Sequence, residues 1–191
     1  MSDATKSVLA GKTVEGAVRV ADAGLRGMIT IRGDLTAARI KAAASGVAGV
    51  AFPGQGEASC VDDKGILWMS PDEVMVLCAY GERDATLQAV QNKIGADHSL
   101  AVDVSDASAI FQLSGDEGAL RETLAKLTPA DVSPSALPSG RFRRTRLAQI
   151  PGAFWFRDPQ TVELIVFRSV AQYAFDLLEN AAKSGQRVNF F

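Results

Sequence analysis

The 191 residues carry 20 Lys and Arg against 22 Asp and Glu, a formal charge of -2, with 47% hydrophobic and 22% charged residues. That balance builds a packed core and excludes a disordered chain, and it supplies no net field toward nucleic acid or an acidic membrane surface. No stretch approaches the roughly 18 apolar residues of a membrane span, and Met1–Leu9 holds Asp3 and Lys6 without a signal-peptide core, which points to the cytoplasm.

Residues 1–24, rich in Ala, Gly, Ser, Thr and Val without a sustained period, read as an extended arm with one short strand from Val14 to Val20. Such an arm lacks the apolar periodicity to fold alone and needs a surface to lie on. Regular structure starts at Leu25. Gly27-Met28-Ile29-Thr30-Ile31 predicts a strand, Asp34 a cap for an Ala-rich helix from Leu35 to Ala44, and Gly46 its end. A three-strand meander follows over Ala58–Val61, Ile66–Met69 and Val74–Ala79, with turns at Asp62-Asp63-Lys64-Gly65 and Ser70-Pro71-Asp72-Glu73. Leu87, Val90 and Ile94 mark the next helix, which Gly95 stops.

The order then repeats. Ala109–Leu113 is a strand, and Leu120, Leu124 and Leu127 stripe a helix that ends before Pro129. A second meander spans Arg141–Ile150, Ala153–Arg157 and Thr161–Phe167, with turns at Pro151-Gly152 and Asp158-Pro159. The last helix opens on a Ser169/Gln172 capping box. Its stripe is Val170, Tyr173, Ala174, Leu177, Leu178 and Ala181, and Gly185 ends it. Gly33-Asp34 and Gly115-Asp116 lie 82 positions apart, and Trp68 and Trp155 lie 87 apart. The expected fold is therefore α+β: two similar β-α-β-β-β-α halves, residues 25–104 and 105–186, with mainly antiparallel sheets, helices on the sheet faces, and a tail at 187–191.

Chemistry is scarce. The single histidine, His98, sits beside Asp97 at a helix-to-strand junction, where a solvent-facing imidazole outweighs a catalytic one. Cys60 and Cys78 fall in apolar strand-like runs and read as buried thiols. Gly54-Gln55-Gly56 lacks the third glycine of a dinucleotide fingerprint, and Gly11-Lys12-Thr13 lacks the upstream glycine of a phosphate loop. The acid pairs Asp62-Asp63 and Asp72-Glu73 suit turns. No catalytic, cofactor or metal residue is assigned. Arg141, Arg143, Arg144 and Arg146, with Phe142 among them, place cations on both faces of one strand, which suits an edge strand, by itself or against an anionic partner. Phe142 alone among exposed aromatics is too little for RNA binding. Phe190-Phe191 at the C-terminus either tucks into the core or plugs into a partner.

These residues carry a resemblance. Ser139-Gly140-Arg141 through Thr145-Arg146-Leu147-Ala148, then Pro151 and Phe154-Trp155-Phe156-Arg157, resembles a stretch of sarcosine oxidase gamma subunits. Val166-Phe167-Arg168-Ser169, with Ala171 and the helix to Ala182, is similar to their Arg-Ser-x-Ala signature. Asp103-Val104-Ser105 and Leu113-Ser114-Gly115 resemble the wider family, which includes the glycine-cleavage T-protein and related folate-binding proteins. Val170 replaces a common aromatic residue and Asp116 the usual proline, both structurally mild.

The resemblance implies a non-catalytic gamma subunit of a heterotetramer that demethylates sarcosine oxidatively to glycine, with alpha, beta and delta subunits as partners and neither nucleic acid nor membrane. It implies FAD, FMN, NAD, tetrahydrofolate and zinc in the other subunits and no cofactor in this chain. Interface candidates are Arg141, Phe142, Arg143, Arg144, Arg146, Trp155, Phe190 and Phe191. The alternative is a stand-alone folate-binding or one-carbon-transfer protein of the T-protein superfamily. Against it stand the lack of a counterpart to the T-protein's acidic catalytic segment and a chain of half the length.

Overall fold

The computed structural model describes residues 6–95, 98–185 and 187–191; Asp97 and the first five residues of the arm lie outside them. The arm forms β1 (Thr13–Val14) and β2 (Arg19–Asp22), followed by β3 (Arg26–Arg32) and α1 (Ala38–Ala48). A meander β4 (Ala58–Val61), β5 (Lys64–Ser70) and β6 (Glu73–Ala79) leads to α2 (Arg83–Ile94) and β7 (Leu100–Asp103). The sequence then gives β8 (Ser108–Ser114), α3 (Glu117–Ala125), β9 (Phe142–Leu147), β10 (Ile150–Asp158), β11 (Thr161–Phe167) and α4 (Ala171–Ala181).

Residues 26–105 form one unit, and residues 1–25 with 106–191 form the other. In the first, an antiparallel sheet of order β4-β5-β6-β3-β7 presents Ile29, Ile31, Ile66, Val74 and Val76 to α1 and α2, whose Ile40, Ala43, Ala44, Val90 and Ile94 complete the core. In the second, the sheet order is β1-β2-β8-β11-β10-β9. There Phe111, Leu113, Phe154, Phe156, Val162 and Leu164 pack under Leu120 and Leu124 of α3 and Phe175 and Leu178 of α4. Period-two alternation along each strand puts these residues on one face.

The units repeat one another closely. Gly33 and Gly115 adopt φ values of +156° and +155°, a region that L side chains avoid, at the same turn out of the first strand. Asp116 then caps α3 by accepting the Ala119 N–H. Asp34 instead accepts the N–H and hydroxyl of Thr36, so α1 begins only at Ala38, from an N-cap residue (Ala37) without a side-chain bond. The expected Asp34 cap is thus replaced by a local turn, and Gly49 at φ +69°, not Gly46, ends the helix.

The tryptophans do not correspond. Trp68 lies opposite Val74 and faces the helices, as Phe156 does opposite Val162. Trp155 lies opposite Glu163 and matches Leu67 opposite Met75. A one-residue offset reverses the face, so the two indoles point to opposite sides of their sheets.

Two other expectations are corrected. The second meander turns at Ala148-Gln149, with Ala148 at φ +49° and Leu147 paired to Ile150. Pro151 sits in β10 just before Gly152, the first residue of the β10–β11 ladder, so its missing N–H breaks no bond there. The Ser169/Gln172 capping box does not form: Val170 is the N-cap without a side-chain bond, and Gln172 donates to Asp176. In α4, Phe175 is buried and Tyr173 exposed, because a short 3-10 turn at Arg168–Val170 rotates the start of the stripe.

The arm finds its surface within its own chain. β2 pairs antiparallel with β8, Arg19 opposite Ser114 through Asp22 opposite Phe111, and β1 pairs with β2. Val18 and Val20 are buried in the second core. Asp22 fastens the arm by accepting from the Ser7 hydroxyl and the N–H groups of Gly11 and Gly24. Ala17 N–H donates to the Ala182 carbonyl at 2.6 Å, and a side chain at Gly16 would strike that same carbonyl.

Deleting residues 1–25 should destabilise the 106–191 unit by about 3–6 kcal/mol through loss of two buried valines, and Asp22→Ala by about 1–3 kcal/mol. Denaturant unfolding checks both, and an arm that could be removed without loss of stability would contradict this packing.

Candidate subunit interface

β9 is the outermost strand of its sheet and pairs only with β10. Pleating sends Phe142, Arg144 and Arg146 to one face and Arg143 and Thr145 to the other. Arg141, Arg144 and Arg146 are exposed, and Arg146 donates to the Gln149 side chain. Arg143, opposite Phe154, is half-buried, and its Nε is buried without a hydrogen-bond partner. Its charge faces Asp131, whose carboxyl is held below the usual range first by the Ser133 N–H, then by the Ser133 hydroxyl and by Arg143.

Phe142 and Trp155 are buried within the chain itself, Trp155 to 1% exposure, with ring centroids 5.9 Å apart. They brace the edge strand from within and offer no surface, which corrects their expected role as contact anchors.

The terminal phenylalanines separate. Phe191 packs against the core, while Phe190 is 80% exposed with its ring 5.0 Å from that of Phe191. The tail is held by Glu122, only 3% exposed, which accepts the N–H of Val188 at 3.1 Å and of Phe190 at 2.7 Å. Arg187 bridges to Asp116 at 3.3 Å and to Glu122 at 3.5 Å. Burial pushes the Glu122 carboxyl up, but the two N–H bonds and Arg187 outweigh it and hold it below the usual glutamate range.

Sequence reasoning missed the buried charges that shape this surface. Arg121 donates to Glu117 and to the carbonyls of Val132 and Leu137, and stacks 4.3 Å from the Phe156 ring, so it moors the 126–141 loop that delivers the chain to β9. Glu163, 1% exposed, pairs with Arg157. In a sequence, Arg121-Glu122 looks like the solvent side of α3, and nothing local marks it otherwise. Exposed Leu100 and Val102 were also not singled out, and Tyr173, expected in the apolar stripe of the last helix, is exposed.

His98 is exposed, Cys60 half-buried, and Cys78 buried with its thiol pushed up by burial. Among the described residues, no group of three or more His, Cys, Asp or Glu could hold a metal ion, and no helix is long and apolar enough to cross a membrane.

The glycine cleavage system aminomethyltransferase T from Bartonella henselae shares the fold, with a TM-score of 0.58, 14% identity, and coverage of 83% of this chain and 45% of that one. A chain of the heterotetrameric sarcosine oxidase from Corynebacterium sp. U-96, in complex with pyrrole 2-carboxylate, superposes with a TM-score of 0.80 at 25% identity over 93% of this chain and 94% of that one. Sarcosine oxidase subunit gamma of Corynebacterium sp. (strain U-96) is 31% identical over 140 residues, spanning 73% of this chain and 66% of that protein, just under two thirds. Residues 32–184 match the sarcosine oxidase gamma subunit family. The chain belongs to that family.

Proposed function

We propose that this chain is the non-catalytic gamma subunit of a heterotetrameric, cytoplasmic sarcosine oxidase, which demethylates sarcosine to glycine with oxygen as acceptor and supplies the one-carbon unit to tetrahydrofolate. The observation that carries the reading is the superposition of nearly the whole chain on a chain of such an enzyme. FAD, FMN, NAD, tetrahydrofolate and zinc belong, on this reading, to the alpha, beta and delta subunits. No step of the reaction falls to a residue of this chain.

The interior supports the division of labour. The buried charges Asp22, Arg26, Arg121, Glu122 and Glu163 are spent on the arm, the β4–β5 turn, a loop, the tail and an ion pair. The surface offers a partner Arg141 just before β9, Arg144 and Arg146 on it, and Phe190 held outward by a fixed tail. Exposed ion pairs are worth about 0–1 kcal/mol each, so the arginines set orientation and rate, while burying Phe190 adds about 1.5–3 kcal/mol. The alternative, a stand-alone folate binder, predicts that the isolated chain titrates with a reduced folate by fluorescence; the subunit reading predicts a flat titration.

Replacing Arg141, Arg144 and Arg146 with Ala should slow assembly with the other subunits at low salt and reduce its salt dependence, while the isolated chain melts as before. Phe190→Ala should weaken assembly about 10–100-fold. Wild-type assembly kinetics in both variants would reduce the arginines to edge protection and free the tail of any contact role.

The tail itself should respond to acid. A carboxyl held below its ordinary value of about 4.3 stabilises the fold above that pH and loses its contribution as pH falls through the lowered value. The amide resonances of Val188 and Phe190 should therefore hold steady near neutral pH and shift only once the pH falls beneath the ordinary glutamate range. In Glu122→Gln that acid transition should vanish.

A further inference from the structure

The two units end their sheets differently, and the difference isolates one strand edge. β7 occupies beside β3 the place that β2 occupies beside β8: Asp103 lies opposite Ile29 and Asp22 opposite Phe111, 82 positions on from Ile29. The backbone bonds match as well, Val104 N–H to the Met28 carbonyl and Ala23 N–H to the Ile110 carbonyl. Both aspartates make the same turn, Asp22 accepting the Gly24 N–H and Asp103 the Ser105 N–H. In the second unit β1 then covers β2, with Val14 opposite Val20 and Asp22 N–H donating to the Lys12 carbonyl. Among the described residues, no strand covers β7.

The Val104–Met28 bond sets which groups of β7 are open. Antiparallel pairing alternates bonded and non-bonded positions, so Val102 and Leu100 bond inward to β3 while the N–H and C=O of Ala101 and Asp103 point outward. The Gln91 side chain donates to the outward Ala101 carbonyl, which confirms its direction. Leu100 and Val102, 54% and 39% exposed, stand on one face of this edge. β7 itself contains no Lys, Arg or Pro, and Arg83 of α2 reaches only its end, pairing with Asp103 at 3.4 Å, whereas β9, the edge of the other sheet, carries Arg143, Arg144 and Arg146. An edge strand with outward N–H groups and exposed apolar side chains is a template for another strand.

We propose that β7 is a docking edge for an extended segment of a larger oxidase subunit, which adds antiparallel to β7 as β1 adds to β2 and covers Leu100 and Val102 with apolar side chains at alternate positions. The repeat supplies the register: the incoming residues sit opposite Ala101 and Val102 as Val14 and Thr13 sit opposite Val20 and Ala21. The proposal rests on the subunit reading above.

Hydrogen exchange tests it, comparing the isolated full chain with the co-purified complex. The amides of Ala101 and Asp103 should exchange at least about tenfold more slowly in the complex, since each gains a backbone acceptor. Leu100→Lys with Val102→Lys should leave the isolated chain's melting unchanged, because both side chains are exposed, and should cut recovery of the complex about tenfold or more, the factor for roughly one lost apolar contact. A complex that forms while both amides exchange as in the free chain, or one that tolerates the double substitution, overturns the docking edge and leaves the subunit reading standing. A wild-type chain that joins no complex overturns both.

Discussion

The seating of β2 against β8 is the constraint on which most of this molecule depends. It seats the arm on the sheet and places Val18 and Val20 in the second core. It also leaves the whole of residues 26–105 between the first and last parts of the other unit. Asp22 makes the pairing specific, because one carboxylate gathers a hydroxyl and two backbone N–H groups from three separate places in the arm. Local propensity does not produce this. A four-residue strand is marginal by itself, and it holds because a sheet edge and an apolar core are already there to receive it.

From that arrangement follows a division between interior and edge. Each unit buries one sheet face under two helices, and the buried charges are consumed in holding loops and termini or, for Glu163, in an ion pair between β11 and β10. Arg121 illustrates the cost that such burial avoids: a guanidinium 2% exposed is tolerable only because Glu117, two carbonyls and an aromatic face surround it. The features left to distinguish one unit from the other are therefore at their rims, in which strand is covered, which carries cations and where a tail is fastened.

Much of this was legible in the sequence, for reasons that differ by element. Ala58–Val61 was placed to the residue because Asp62-Asp63 marks its end, although the turn is only those two residues and β5 begins at Lys64, inside the expected four-residue turn. The β-α-β-β-β-α order emerged because strand period and helix period alternate cleanly in both halves. The family resemblance was carried by residues now seen on β9, β10 and α4. What failed had physical causes. The Ser169/Gln172 pattern was right for a cap, but a 3-10 turn took up those residues first. Pro151-Gly152 resembled a turn although Ala148 accepted the positive φ instead. Trp155 read as an anchor because aromatic side chains dominate contact hot spots, but its indole is buried beside Phe142 on the sheet face turned away from the helices. Leu100–Asp103 was too short to stand out, and Glu122's role depends on a tail 66 residues away.

On the function proposed above, this chain works as a fixed part of a larger enzyme and contributes shape in place of chemistry. Native mass spectrometry of the oxidase, prepared with and without the gene product described here, measures that directly. The chain should be found in the same particle as the larger subunits, and particles made without it should be incomplete or dissociate. A particle of full activity and unchanged stability in its absence, with the chain recovered free, would contradict it.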